Sequence, residues 1–246
     1  MTDRGALGLG YTVITPANHY PSRLPEFGDQ PVVKLVTPRM APSRIGQYLV
    51  SLDPGGGTTQ RIGEGFERFF YVLEGTVTLF MAGSGRTALA AGGYAYLPSE
   101  TPYELRAEDD TPARLLIVKR RYEAHGDLDA PGSLHGHRDD ESFAETAVEG
   151  FTRRELLPVG DPAFDFNMSL LRFGPGVGLD KIEVHDEEHG LWMTEGAGTY
   201  VLGADEHEVQ AEDFIYMAPY CPQGFTASPA GPAEYLLYKD VWRDGF

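Results

Sequence analysis

Glu183-Val184-His185-Asp186-Glu187-Glu188-His189-Gly190-Leu191-Trp192-Met193-Thr194-Glu195-Gly196, read together with Gln223, is the stretch on which the fold of this chain turns. Glu183 and His185 stand two apart, the spacing that sends two side chains to the same side of a β-strand. His189 follows four residues later, far enough to cross a bend and return on the next stretch of backbone. Carboxylate, imidazole and amide oxygen, with no thiolate among them, suit a hard or borderline divalent ion such as Mn²⁺ or Fe²⁺.

Working outward, the surroundings of this stretch occur twice. Tyr71-Val72-Leu73-Glu74-Gly75 is echoed by Trp192-Met193-Thr194-Glu195-Gly196, and Tyr94-Ala95-Tyr96-Leu97-Pro98 by Phe214-Ile215-Tyr216-Met217-Ala218-Pro219. Leu115-Leu116-Ile117-Val118-Lys119 is echoed by Tyr235-Leu236-Leu237-Tyr238-Lys239, an offset of 120 residues. A repeat of about half the chain predicts two copies of one domain in tandem. The repeated runs are short and rich in β-branched and aromatic residues, and Gly, Pro and Asp separate them, so each copy reads as a small sandwich or barrel.

Composition narrows the function. With 20 Lys and Arg against 37 Asp and Glu, the net charge of −17 repels phosphate backbones and anionic lipid, and no basic run beyond Lys119-Arg120-Arg121 offsets it. Neither nucleic acid nor membrane is an expected partner. The single Cys221 excludes an intramolecular disulfide and fits a reducing compartment. With no signal-peptide core and no bilayer-length apolar run, a cytoplasmic protein is expected.

The motif spacing resembles that of the cupins: two ligands two apart, a third four further on, a Gly seven beyond it, and a last ligand on a second strand pair. Here Glu183, His185, His189, Gly196 and Gln223 take those places. The expected fold is all-β, a bicupin of two tandem double-stranded β-helix (jelly-roll) barrels. Its expected parts are residues 1–122, an acidic linker 123–150, and a metal-bearing barrel 151–246. In the first copy the same spacings land on Ile62, Glu64, Arg68 and Tyr103. Isoleucine cannot ligate and arginine puts a fixed cation where the ion would sit, so that barrel is expected to bind no metal. His125, His135, His137 and His207 read as solvated histidines, and Asp186, Glu187 and Glu188 as a solvated turn. Cys221 reads as a buried, inert thiol rather than a nucleophile.

The chain further resembles the (S)-ureidoglycine aminohydrolases, bicupin enzymes of allantoin breakdown. The likeness runs through Gly160-Asp161-Pro162-Ala163-Phe164-Asp165-Phe166-Asn167-Met168, the Glu183–Gly190 segment, Gln223 and Tyr235–Asp240, and in the first half through Phe70–Gly75 and Lys119–Tyr122. The resemblance implies one Mn²⁺ per chain on Glu183, His185, His189 and Gln223, and substrate contacts from Tyr200, Tyr235 and Lys239. Glu183, a carboxylate beside the metal that can also take a proton, and Lys239, a partner for the substrate carboxylate, are the expected catalytic residues. It implies ammonia release from a small substrate, (S)-ureidoglycine, and a homo-oligomer is expected. Two other readings stay open on the residues alone: a different metal-dependent bicupin enzyme, such as a dioxygenase or isomerase, or a non-catalytic metabolite-binding bicupin. One position departs from the common cupin pattern. Glu212 stands where many cupins have Gly, and a changed turn is expected there.

Overall fold

The computed structural model describes residues 4–40, 42–59, 65–81, 85–179 and 181–241. It divides into two compact units, one from Tyr20 to Asp140, the other joining the residues up to His19 to those from Glu141 onward.

The Tyr20–Asp140 unit sets a seven-stranded antiparallel sheet beside a three-stranded one. Its central strands, Glu67–Glu74 and Ala113–Arg120, pair with each other and are flanked by Gly93–Leu97 and Gly46–Leu52. In the smaller sheet Thr76–Met81 alternates strictly, so that Val77, Leu79 and Met81 enter the core while Thr76, Thr78 and Phe80 do not. That period of two is what a half-buried strand requires.

The other unit repeats the plan. His189–Glu195 and Ala233–Asp240 pair centrally, flanked by Phe214–Met217 and Phe166–Phe173, and Gln223–Ala227, Ala197–Leu202 and Asp205–Gln210 form the three-stranded sheet. The duplication extends to irregularities. The central ladder slips register between Arg114 and Leu115 in one unit and between Met193 and Glu195 in the other. Gly75 and Gly196 both adopt φ 74. A Cβ on Gly196 would meet the Pro232 carbonyl oxygen at 2.0 Å, and one on Gly75 the Pro112 oxygen at 2.3 Å, so both conformation and space demand glycine. Glu212, by contrast, takes φ 75 with a side chain in place, where its counterpart Gly92 takes φ 88. The turn is thus kept rather than changed, at the cost of a left-handed non-glycine residue.

The tandem all-β expectation agrees with this architecture, but the expected boundaries at 122 and 150 do not. Tyr11–Ile14 pairs antiparallel with Phe214–Met217, so the first nineteen residues belong with the C-terminal repeat. The arm covers a sheet edge that would otherwise present unpaired backbone groups. Arg4 secures it by pairing with the buried Asp213 carboxylate (Nη2 to Oδ1 3.0 Å), and the Tyr11 hydroxyl donates to Asp205 at 2.8 Å. The expected linker is also divided. Leu134–His137 is a strand on Gly93–Leu97, whereas Ala144–Glu145 pairs with Phe151–Glu155 in the other unit. His137 is accordingly no free loop histidine, since its Nε2 lies 2.9 Å from the Ala91 carbonyl; His135 and His125 are exposed. His207 packs its ring against Tyr11 at 5.2 Å.

Candidate metal centre and active site

The second repeat brings the four expected ligands together at one end of its barrel. His189 opens one strand and Gln223 another. Glu183 is not part of a strand. It forms an isolated bridge with Gln223, each backbone N–H donating to the other's carbonyl at 2.8 and 2.9 Å. From there the chain bends through Asp186 and Glu187, and the Tyr220 N–H donates to the His185 carbonyl at 2.6 Å. The expectation of Glu183 and His185 on one strand is therefore corrected. A bridged loop does what the strand was expected to do, and the two side chains still meet, His185 Nε2 to Glu183 Oε2 3.2 Å.

The remaining donors close the group. The His185 and His189 rings have centroids 5.2 Å apart, and the Gln223 amide nitrogen lies 3.4 Å from His189 Nδ1. Exchanging the amide's nitrogen and oxygen, which are alike in outline, would present an oxygen at the same point. Burial pushes the His189 imidazole down to about 3, aided by the charge of Lys239 and then of His185. It is neutral at physiological pH, as metal ligation requires. Among the described residues no three His, Cys, Asp or Glu side chains are drawn around a single point. The donors instead contact one another as two pairs, Glu183 with His185 and Gln223 with His189. Three nitrogen or carboxylate donors and an amide, one imidazole held neutral, are of the chemical kind an Mn²⁺ ion takes up.

Next to this group the central ladder sets Lys239 directly across from His189. Lys239 Nζ lies 3.0 Å from Glu187 Oε1, and the other Glu187 oxygen is 4.0 Å from His185 Nδ1. Glu187 thus belongs to the site, against its reading as a solvated residue. Glu188 is also corrected: it is 1% exposed and accepts a 2.9 Å hydrogen bond from the Tyr216 hydroxyl. Asp186 alone of the three is exposed. One signal was available in the sequence. Glu183, His185, Glu187 and His189 form an unbroken alternation, and the odd-numbered carboxylate between the histidines falls in with the ligands.

Deeper in the same barrel, Tyr200 and Tyr235 are both buried in the core, with Tyr200 hydrogen-bonded to Tyr235. Burial raises both phenols, and the negative charge of Glu183 raises them further, so both are neutral donors. Cys221 is buried and its thiol is pushed up by burial, in keeping with an inert role. In the first unit Arg68 and Tyr103 occupy the positions of His189 and Gln223, and the guanidinium lies 5.2 Å from the centre of the tyrosine ring. Ile62 and Glu64 lie outside the described residues.

Known proteins share the fold and much of the sequence. The cupin domain model matches residues 48–119. The (S)-ureidoglycine aminohydrolase of Arabidopsis thaliana is 37% identical over 95% of this chain and 76% of its own length. The (S)-ureidoglycine aminohydrolase of Escherichia coli K12 is 32% identical over 95% and 89%. The crystal structure of protein Ylba from E. coli superposes with a TM-score of 0.87 at 29% identity, covering 99% of this chain and 96% of that one. Fold and comparisons together define an enzyme of the bicupin class, a duplicated cupin. Within that class the chain belongs to the (S)-ureidoglycine aminohydrolase family. Among the described residues no helix is long and apolar enough to cross a membrane.

Proposed function

We propose that the second barrel hydrolyses (S)-ureidoglycine to (S)-ureidoglycolate and ammonia, with Glu183, His185, His189 and Gln223 holding one Mn²⁺. The observation that carries this reading is the juxtaposition of the Glu183–His185 and Gln223–His189 pairs with Lys239, the cross-strand neighbour of His189. When bound, the ion supplies Lewis-acid polarisation and a template for a chelating substrate.

The protein's own groups do the rest. Lys239 anchors the substrate carboxylate, an interaction that requires it to share or release Glu187. Tyr200 donates to Tyr235, which leaves the Tyr235 hydroxyl proton for a polar atom of the substrate. Glu183 is the proton carrier: after the protonated amine has left as ammonia, it takes a proton from the water that adds and passes it on to that ammonia. Overall, substrate and water give the hydroxy acid and ammonia. Loss of ammonia assisted by the ureido nitrogen, followed by water addition on the same face, retains the S configuration.

The test is ammonia release from freshly generated ureidoglycine, with and without added Mn²⁺, comparing the wild type with His189→Ala. The expected result is metal-dependent release that the variant lacks. Equal rates with no enzyme, wild type and variant would sink the proposal.

A further inference from the structure

The first barrel keeps the central rung of the site but inverts its charge. In the second barrel the central ladder places Lys239 opposite His189; in the first it places Lys119 opposite Arg68. Two cations side by side on one face of a sheet repel. Both are well buried, Arg68 at 1% exposure and the Lys119 side chain at 14%. A single carboxylate, Glu26, lies between Lys119 and compensation, with Nζ to Oε1 2.5 Å. Arg68 makes no ion pair among the described residues; its Nη1 donates to the Phe66 carbonyl at 2.7 Å, and its Nε has no hydrogen-bond partner. The Tyr103 hydroxyl, equally buried, lies beside it within reach of the guanidinium.

This buried pair of cations adjoins, through Lys119, a cavity of about 490 Å³, within the range that holds small molecules. Arg44, Lys119, Arg120 and Arg121 line it together with Tyr48, Phe66 and one carboxylate, Glu123. Three of the four cations have carboxylate partners: Arg44 with Glu123, Arg120 with Glu67 and Lys119 with Glu26. Arg121 has none among the described residues and lies over the Phe66 ring, 4.7 Å from its centre. Phe66 and Lys119 connect the two features. Each lines the cavity, and each also touches the buried group, Phe66 through the carbonyl that holds Arg68 and Lys119 through the ladder. Burial lowers the Lys119 ammonium more than Glu26 restores it, a sign that the existing carboxylate under-compensates the charge.

We propose that the first barrel binds a small organic carboxylate in this cavity, held by Lys119 and Arg121 over the aromatic walls of Tyr48 and Phe66, with the buried charge of Arg68 behind it. A guanidinium fork matches a planar carboxylate bidentately, and an anion satisfies the positive excess that a metal ion would worsen. The net charge of −17 makes such a concentration of cations exceptional on this chain.

The test titrates malonate and, separately, inorganic phosphate into the full-length protein by calorimetry. Lys239→Met serves as the background, so that the second barrel's own lysine does not contribute. Saturable binding of malonate at one site is expected, weakened roughly tenfold or more when Arg121→Ala or Lys119→Met is added. Arg121 is exposed, so its removal leaves the fold intact. Absence of saturable malonate binding, equal affinity with and without Arg121, or phosphate binding tighter than malonate would each overturn the proposal. Ammonia release by the wild type is measured independently, so failure here leaves the second barrel's reaction untouched.

Discussion

Replacing Glu187 by Gln is expected to tighten substrate binding. On the proposed reading Lys239 meets a substrate carboxylate, yet its ammonium is already engaged 3.0 Å from Glu187. The two side chains are 30% and 21% exposed, so water screens the pair, and an interaction of this type contributes up to about 1 kcal/mol. At about 1.4 kcal/mol per factor of ten, removing the competing carboxylate should lower KM by up to roughly fivefold. The value of kcat should hold, because the freed lysine binds ground and transition states alike. Glu187 also lies 4.0 Å from His185 Nδ1, where a carboxylate can orient a ligating imidazole, and a weaker Mn²⁺ site is the competing outcome. Steady-state kinetics at saturating Mn²⁺, with metal affinity measured in parallel by electron paramagnetic resonance, separates the two. A KM that rises at full metal occupancy would show that Glu187 helps, rather than competes with, the carboxylate anchor, and the reasoning would fail.

Four further outcomes follow from the geometry. Gly196→Ala, with φ 74 and a Cβ forced to 2.0 Å from a carbonyl oxygen, should destabilise the protein by at least about 2 kcal/mol in urea unfolding; a loss under half of that would mean the turn relaxes freely. Glu212→Gly should do the reverse and raise stability by about 0.5–1 kcal/mol, since a left-handed glutamate is relieved, and an unchanged midpoint would show no strain there. Met193→Ala, which removes a fully buried side chain, should cost about 2–5 kcal/mol, read by the same unfolding curves. Cys221 should resist Ellman's reagent in the native protein and react fully in denaturant, because it is buried and burial holds its thiol protonated; fast native labelling would contradict that.

The duplication was legible because it is written in local chemistry. Gly75 and Gly196 are the only residue type their turns admit, and the runs beside them alternate with the period of a strand. The N-terminal arm was not legible in the same way. Nothing in Tyr11-Thr12-Val13-Ile14 names its partner, and pairing with Phe214–Met217 is a contact across two hundred residues that only the finished sheet edge selects. His137 was missed for the same reason, its strand being defined by the Gly93–Leu97 edge rather than by its own composition.

At the site, the candidate donors were legible and the placement of their neighbours was not, and the two repeats show why. Candidate donors are recognised by their chemistry, so Glu183, His185, His189 and Gln223 stand out against any background. Lys239 and Glu187 are ordinary surface residue types whose meaning comes from register, one ladder rung opposite His189 and one bend away from it. That same rung in the first barrel joins Lys119 to Arg68, so an identical lysine in an identical place faces a cation instead of a neutral imidazole. The lysine is constant while its neighbour changes, and its neighbour therefore determines what it binds. A direct consequence can be measured by exchanging the rung. Arg68→His removes one of two opposed cations, and an imidazole that burial keeps neutral should abolish the malonate site while stabilising the apoprotein, because the like-charge repulsion across the ladder disappears. If the variant instead unfolds at lower urea while retaining malonate binding, Arg68 is a packing element whose charge is compensated within the barrel, and the inverted-site argument is wrong.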